Sequence, residues 1–209
     1  MWWFSENSKK LGHGDNREVK IGMTHKIMGE PVLCKYGLHA STRIIDALEY
    51  AYGEIIWKVK LGGNIVHDTD KSVATERTYI AGGIDISETL RRFARLCALD
   101  VIHLWDAPPV VVEYLKTGDE LKRAVTLAAA DAAAEDAART LPAPWSAWAV
   151  RAARAVRTAA WPAWSARAAA WSARTAAWSA QDALGFAAAN KKQNQRLTRM
   201  VNKVLRGVK

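Results

Sequence analysis

The chain has 209 residues, with 30 Lys and Arg against 21 Asp and Glu, two Cys and ten Trp. This is long enough for one or two domains with a buried core, which excludes a disulfide-stapled mini-protein and a wholly disordered tail. Charge is uneven: residues 139–209 hold nine Arg and four Lys against the single acid Asp182, a net of +12, leaving −3 on residues 1–138. A neutral or acidic globular part therefore precedes a basic part suited to a polyanion or an acidic surface.

The start, Met1-Trp-Trp-Phe-Ser-Glu-Asn-Ser-Lys-Lys10, has no basic opening followed by an apolar run, and Arg or Asp interrupts each apolar stretch. Neither a secretory leader nor a transmembrane segment is expected, and the cytoplasm is the predicted location. Cys34 and Cys97 stand alone, outside any Cys-x-x-Cys, and read as reduced thiols. Residues 31–39 read as a strand, and Ser41 or Thr42 as the cap of a short helix through Ile44, Ile45, Leu48 and Ala51. Ile55, Trp57, Val59 and Leu61 alternate with Lys58 and Lys60, the period of a strand with one wet face. Gly62-Gly63-Asn64 reads as a turn into Ile65-Val66-His67. Asp85 and Glu88 have capping-box spacing ahead of Leu90, Phe93, Ala94, Cys97, Ala98, Val101 and Ile102, which predicts a helix over residues 87–104 that Pro108-Pro109 ends. After residues 110–115, Thr117 and Glu120 repeat the spacing and predict a helix that stops at Pro142 and Pro144.

From Ala128 to Ala189, 29 of 62 residues are Ala and six are Trp. Alanine maximises helix propensity but offers little area to bury, so such helices need a stripe of large residues or very close contacts. Trp164-Ser-Ala-Arg-Ala-Ala-Ala, Trp171-Ser-Ala-Arg-Thr-Ala-Ala and Trp178-Ser-Ala-Gln-Asp-Ala-Leu are consecutive copies of one seven-residue unit, and Trp145-Ser-Ala is a fragment of it. Seven-residue spacing holds Trp164, Trp171 and Trp178 on one slowly drifting seam, with Arg167 and Arg174 in a parallel row. Pro162 suits the first turn of that helix. Packed against the globular part, another helix or a second copy, the seam predicts a homo-oligomer. Leu197, Met200, Val201, Val204 and Leu205 then recur among basic residues as a basic amphipathic helix.

Two groups of residues are binding candidates. Arg167 and Arg174, with Lys191, Lys192, Arg196, Arg199 and Lys203 of the tail, are placed to neutralise phosphate while indole rings stack on unpaired bases; a solvated helix face accounts for the same residues. His39 ends a strand with two hydroxyls before a helix N-terminus, where backbone N–H groups hold anions. Asp70-Lys71 and Glu76-Arg77 flank Val73-Ala-Thr75 and are expected to meet the His39 strand across a sheet. The ligand candidates are His39, Ser41, Tyr50, Lys71 and Arg77. There is no Walker lysine loop, Gly-x-Gly-x-x-Gly, His-Glu-x-x-His or Gly-x-Ser-x-Gly, so no catalytic residue, metal or cofactor is assigned.

Cys34-x-x-Gly37-Leu-His39-Ala-Ser, then Asp46-Ala-Leu-x-Tyr50 and Asp70-Lys71-x-Val-Ala-Thr, resembles an N-terminal domain of phage and prophage proteins that also carry an alanine- or serine-rich repetitive C-terminal part. The resemblance covers residues 17–120. It implies a viral protein in the host cytoplasm, with a host factor as a partner and the blunting of a host defence as a role. Gly37-Leu-His-Ala-Ser with Ala47-x-x-Tyr50 is also similar to a strand and helix of ADP-ribosyltransferase folds. That similarity implies His39 against a nicotinamide dinucleotide, Ser41 and Tyr50 flanking it, and Thr24-His25 at the ribose; no glutamate in a catalytic strand motif accompanies it.

The expected architecture is α+β: a small mixed or antiparallel sheet domain over residues 1–115, an Ala/Trp-rich helical stalk or bundle over 116–189 and a basic amphipathic tail helix over 190–209. The expected function is non-enzymatic binding of a nucleotide-like ligand, nucleic acid or host factor, with self-assembly through the C-terminal helices. A transferase using a nicotinamide dinucleotide, and nucleic-acid binding by the basic C-terminal part, are the alternatives.

Overall fold

The computed structural model describes residues 1–12, 14–143, 145–160, 165–178 and 183–207. Pro144, Pro162 and Trp164 lie outside the described residues, as does the side chain of Arg167. The fold is α+β, in two compact units: Met1–Ser87 with the chain from Leu197 onward, and Glu88–Arg196. The contiguous part of the sheet-bearing unit thus ends at Ser87.

Its strands are β1 (Trp2–Ser5), β2 (Lys10–Gly12), β3 (Asp15–Glu18), β4 (Thr24–Lys26), β5 (Leu38–Ala40), β6 (Ile55–His67) and β7 (Ser72–Asp85), with a short helix α1 (Ile44–Glu49) between β5 and β6. The main sheet runs β1-β6-β7-β4, with β5 also on β7, and its pairings are antiparallel. β2 and β3 form a separate hairpin. β6 follows the alternation read from its sequence: Ile55, Trp57, Val59 and Leu61 are buried, Lys58 and Lys60 exposed. The buried set packs with Val19, Ala40, Ala74 and Tyr79 as the core of this unit. The strand at His39 does meet Val73 across the sheet, as expected from their flanking charges.

Three local expectations change. Gly62-Gly63-Asn64 is not a turn; β6 continues through it with a register shift between Gly62 and Ile65, and Gly63 takes φ +68. The bulge absorbs the extra residue and strengthens the local twist. The reversal comes later, where the Asp68 N–H donates to the Lys71 carbonyl at 2.8 Å. Of residues 31–39, only the end is strand. Val32 and Tyr36 exchange backbone hydrogen bonds of 2.7 and 2.9 Å around Cys34 at φ 62, closing a tight turn. Ser41 does not cap α1 because its N–H and C=O are paired with Trp2 at 3.0 and 2.8 Å. The chain leaves the sheet only after that bridge, and α1 starts behind Arg43 with no side-chain cap.

The helices that follow are α2 (Ser87–Asp100), α3 (Pro109–Thr117), α4 (Arg123–Thr140), α5 (Trp145–Ala159), α6 (Ser165–Trp178) and α7 (Ala183–Gly207). Asp85 Oδ1 accepts from the Ser87 N–H at 2.7 Å at the start of α2. α2 stops at Asp100, ahead of a 3-10 turn at Ile102–Leu104. Residues 110–115 belong to α3, whose first turn Pro109 suits because that position needs no N–H donor. Thr117 does not cap the next helix; its hydroxyl donates back to the Glu113 carbonyl at 2.8 Å. Asp119 is the cap instead, accepting from the Leu121 N–H at 3.1 Å above the 3-10 turn that leads into α4.

α5 packs between α4 and α6 on alanine. Ala152, Ala155, Ala169 and Ala177 are wholly buried, so the helices approach closely and dispense with large core residues. The Ser172 hydroxyl donates to the carbonyls of Ala94 at 2.9 Å and Ala155 at 3.1 Å, tying α6 to α2 and α5. Among the described residues no helix is long and apolar enough to cross a membrane.

Candidate nucleic-acid interface

The exposed side of α5 and α6 is set by what their buried side consumes. From Arg151 to Ala160 the positions alternate one outward, two inward, and the outward ones are Arg151, Arg154 and Arg157. Alanine, valine and Thr158 fill the rest. On α6 the exposed positions are Trp171, Arg174 and Trp178. With Trp145 at the start of α5, every exposed side chain described on these two helices is Arg or Trp. The sequence from 137 to 181 contains six Arg and no Asp or Glu.

Of the packings expected for the tryptophan seam, Trp171 and Trp178 do not show full burial against this chain's own elements; packing against a second copy would use this same exposed side. Trp171 and Trp178 do share one side of a helix, as their seven-residue spacing requires, but that side is the wet one: they are 44% and 42% exposed. Helix-helix contact is better served by alanine, whose small Cβ lets backbones come together, than by indoles that would wedge them apart. Trp164 lies outside the described residues.

The two helices are antiparallel neighbours in register. Arg151 Nη1 donates to the Trp178 carbonyl at 3.0 Å, and Ser172 Oγ to the Ala155 carbonyl. Arg151 is therefore level with Trp178, Arg154 with Arg174 and Arg157 with Trp171. The Arg174 guanidinium lies 4.4 Å from the centre of the Trp178 ring, a cation-π contact. Arg157 pairs with Asp131 of α4 at 3.3 Å, both more than half exposed; such a pair contributes at most about 1 kcal/mol and yields to a stronger anion.

The tail residues separate into two kinds. Arg196 donates twice to the Asp100 carboxylate, at 2.8 and 3.0 Å, and Lys192 lies 3.3 Å from it. These fasten α7 to α2, and Arg196 is only 20% exposed. Lys191, Arg199 and Lys203 are exposed.

The five ligand candidates of the sheet unit are engaged with one another and with neighbouring groups of that unit. Ser41 is buried in its bridge with Trp2. Tyr50 donates to Asp70 Oδ2 at 2.5 Å, and the Lys71 ammonium sits 4.0 Å from the Tyr50 ring centre. Hydrogen bonding to Tyr50 holds the Lys71 ammonium well above its ordinary pKa, and burial, then the Asp70 bond, raises the Tyr50 phenol. His39 Nε2 accepts from the Cys34 N–H at 3.3 Å, and its carbonyl accepts from Arg77 Nη1 at 2.7 Å. Arg77 itself is buried, its Nε donating to the Tyr79 hydroxyl at 3.1 Å and its guanidinium 3.8 Å from the Trp3 ring centre. His25 Nδ1 lies 3.0 Å from the same Tyr79 hydroxyl. Burial, reinforced by Arg17 and Arg77, depresses the His25 pKa, so a neutral imidazole completes this network. The Arg77, Tyr79 and His25 contacts are buried in the sheet unit, whereas those of Tyr50, Asp70 and Cys34 lie at its surface.

Arg151, Arg154 and Arg157 were not among the sequence candidates. Their signal is the run Arg-Ala-Ala-Arg-Ala-Val-Arg, whose spacing of three is obscured by the neighbouring seven-residue repeat. A search of protein families, curated proteins and solved structures finds no match to the chain.

Proposed function

We propose that this is a non-enzymatic binding protein that takes nucleic acid on the outward face of α5 and α6. One observation carries the reading: every exposed side chain described on those helices is Arg or Trp, in a stretch of sequence free of acids. Guanidinium groups neutralise phosphate and release condensed counterions, which makes affinity fall linearly with the logarithm of salt concentration. The test is fluorescence anisotropy of a labelled single-stranded oligonucleotide in a salt series, with the full chain and with the combined variant Arg151→Gln, Arg154→Gln, Arg157→Gln. The positions are exposed, glutamine at 151 keeps an N–H donor, and Ser172 still ties α6 to α5, so the fold is retained. The variant is expected to bind at least about tenfold more weakly at low salt, with the slope reduced by about 2 for three lost phosphate contacts. Unchanged affinity and slope would reject the reading.

The exposure of Trp171 and Trp178 favours a second reading, self-assembly through the indoles. Pairing two copies through the same patch sets arginine rows against each other, which is repulsive. Association by indoles is then expected to strengthen as salt screens that repulsion, opposite in sign to nucleic-acid binding. Light scattering without nucleic acid reads this directly; a constant mass across the salt series counts against self-assembly through this face.

A further inference from the structure

Resting on that reading, we infer that the nucleic acid this face takes is single-stranded, its phosphates on the α5 arginines and its bases on the α6 indoles. Past Trp145 at the start of α5, the exposed groups of that helix are arginines, whereas α6 exposes two indoles with Arg174 between them. α5 presents Arg151, Arg154 and Arg157, which at 1.5 Å of rise per residue cover about 9 Å of its axis. α6 presents Trp171 and Trp178, about 10.5 Å apart along theirs. The hydrogen bonds from Arg151 to the Trp178 carbonyl and from Ser172 to the Ala155 carbonyl lock these two rows side by side. A polyanion lying along α5 therefore has indoles beside it over the same length.

Which polyanion profits from the indoles decides the strand type. Alanine fills the contacts between the helices, and Trp171 and Trp178 keep 44% and 42% of their surface toward water. A duplex keeps its bases stacked inside and presents sugar and phosphate; indoles pressed against that surface lose water and gain no partner. Unpaired bases offer their faces, and stacking on an aromatic side chain is worth about 1–3 kcal/mol per base, which is about 5- to 150-fold in affinity. Arg174, between the two indoles and stacked on Trp178, adds a cation to the same row. Base identity matters little on such a surface because each base has a π-face.

The experiment is an anisotropy titration of the full chain with labelled oligothymidylate and with a duplex of equal length at one low salt concentration, repeated for Trp171→Ala/Trp178→Ala and for Trp171→Phe/Trp178→Phe. Expected is at least tenfold tighter binding of the single strand, a loss of about 10- to 100-fold for the alanine pair on the single strand alone, and restoration of most of it by phenylalanine. The phenylalanine pair shows that a flat ring, rather than an indole fold contact, is what the strand uses. Equal affinity for the two nucleic acids, or unchanged single-strand affinity in the alanine pair, overturns the inference and leaves the arginine reading standing. Failure to bind either nucleic acid overturns both.

Discussion

Trp57→Ala is expected to destabilise the sheet unit by about 4 kcal/mol, the range for removing a large buried aromatic. Trp57 is 2% exposed, and its ring meets Tyr79 edge-on with centroids 5.5 Å apart. Its Nε1 donates to Ser5 Oγ at 2.9 Å, so the side chain also ties β6 to β1. The site cannot collapse easily. Gly83, at φ +73, runs so close that a Cβ there would stand 2.8 Å from the indole Cζ atoms' outer neighbour Cη2, and Gly82 lies against the Ile56 carbonyl. Alanine therefore leaves a cavity as well as losing transfer free energy. Trp57→Phe keeps a ring and gives up the N–H donor, at a smaller cost. Ten tryptophans blur fluorescence, so hydrogen exchange of β6 and β7 amides in the full chain is the measurement. Protection unchanged in Trp57→Ala would contradict this account of the core.

The second large effect separates charge from shape at Arg77. Arg77→Lys is expected to cost about 2–3 kcal/mol and Arg77→Met only about 1 kcal/mol, although lysine keeps the charge. Arg77 is 3% exposed, with no carboxylate within 4.0 Å among the described residues. Its charge is held by the His39 carbonyl, the Tyr79 hydroxyl and the faces of Trp3 and Tyr79. Burial pushes its pKa down, but a guanidinium stays charged through the accessible range. A planar, weakly hydrated fork can stack and donate in two directions at once. An ammonium is a compact, strongly hydrated charge that cannot. Methionine abandons the desolvation cost, fills the length of the side chain and leaves one carbonyl short of a partner; His25 still serves the Tyr79 hydroxyl. Denaturant unfolding followed by exchange of β4 and β7 amides ranks the variants. Lysine tolerated better than methionine would mean that charge, and not shape, is what the site requires.

Part of the sheet, β6 above all, could be read from the chain because its signals are local. Lys58 and Lys60 alternating with Trp57, Val59 and Leu61 fix the wet face of β6 without reference to anything else. The apolar repeat from Leu90 to Ala98 does the same for α2. β1 escaped because Trp2-Trp3-Phe4 shows no alternation, and β4 because three residues carry no period. The burial of Arg77 escaped because a charge at an alternating position argues for water, and only tertiary contacts with Trp3, Tyr79 and His39 supply the compensation. The tryptophan repeat was legible to the extent that its period puts Trp171 and Trp178 on one side of a helix. Period says nothing about which side is inward. That was decided by the alanines, whose close contacts claim the interior and leave the indoles outside.

Helices joined through methyl groups hide less hydrocarbon per residue than a leucine-built bundle of equal length. Unfolding α5 and α6 therefore uncovers little apolar surface, and since that surface dominates the heat-capacity increment, this pair adds less to the temperature dependence of stability than α2 and α3, which bury Leu90, Phe93, Val111 and Leu115. Its cohesion rests on many backbone-distance contacts, each weak, rather than on a few bulky anchors. Cooling and warming act on it less than they act on the tryptophan-centred sheet beside which it is encoded.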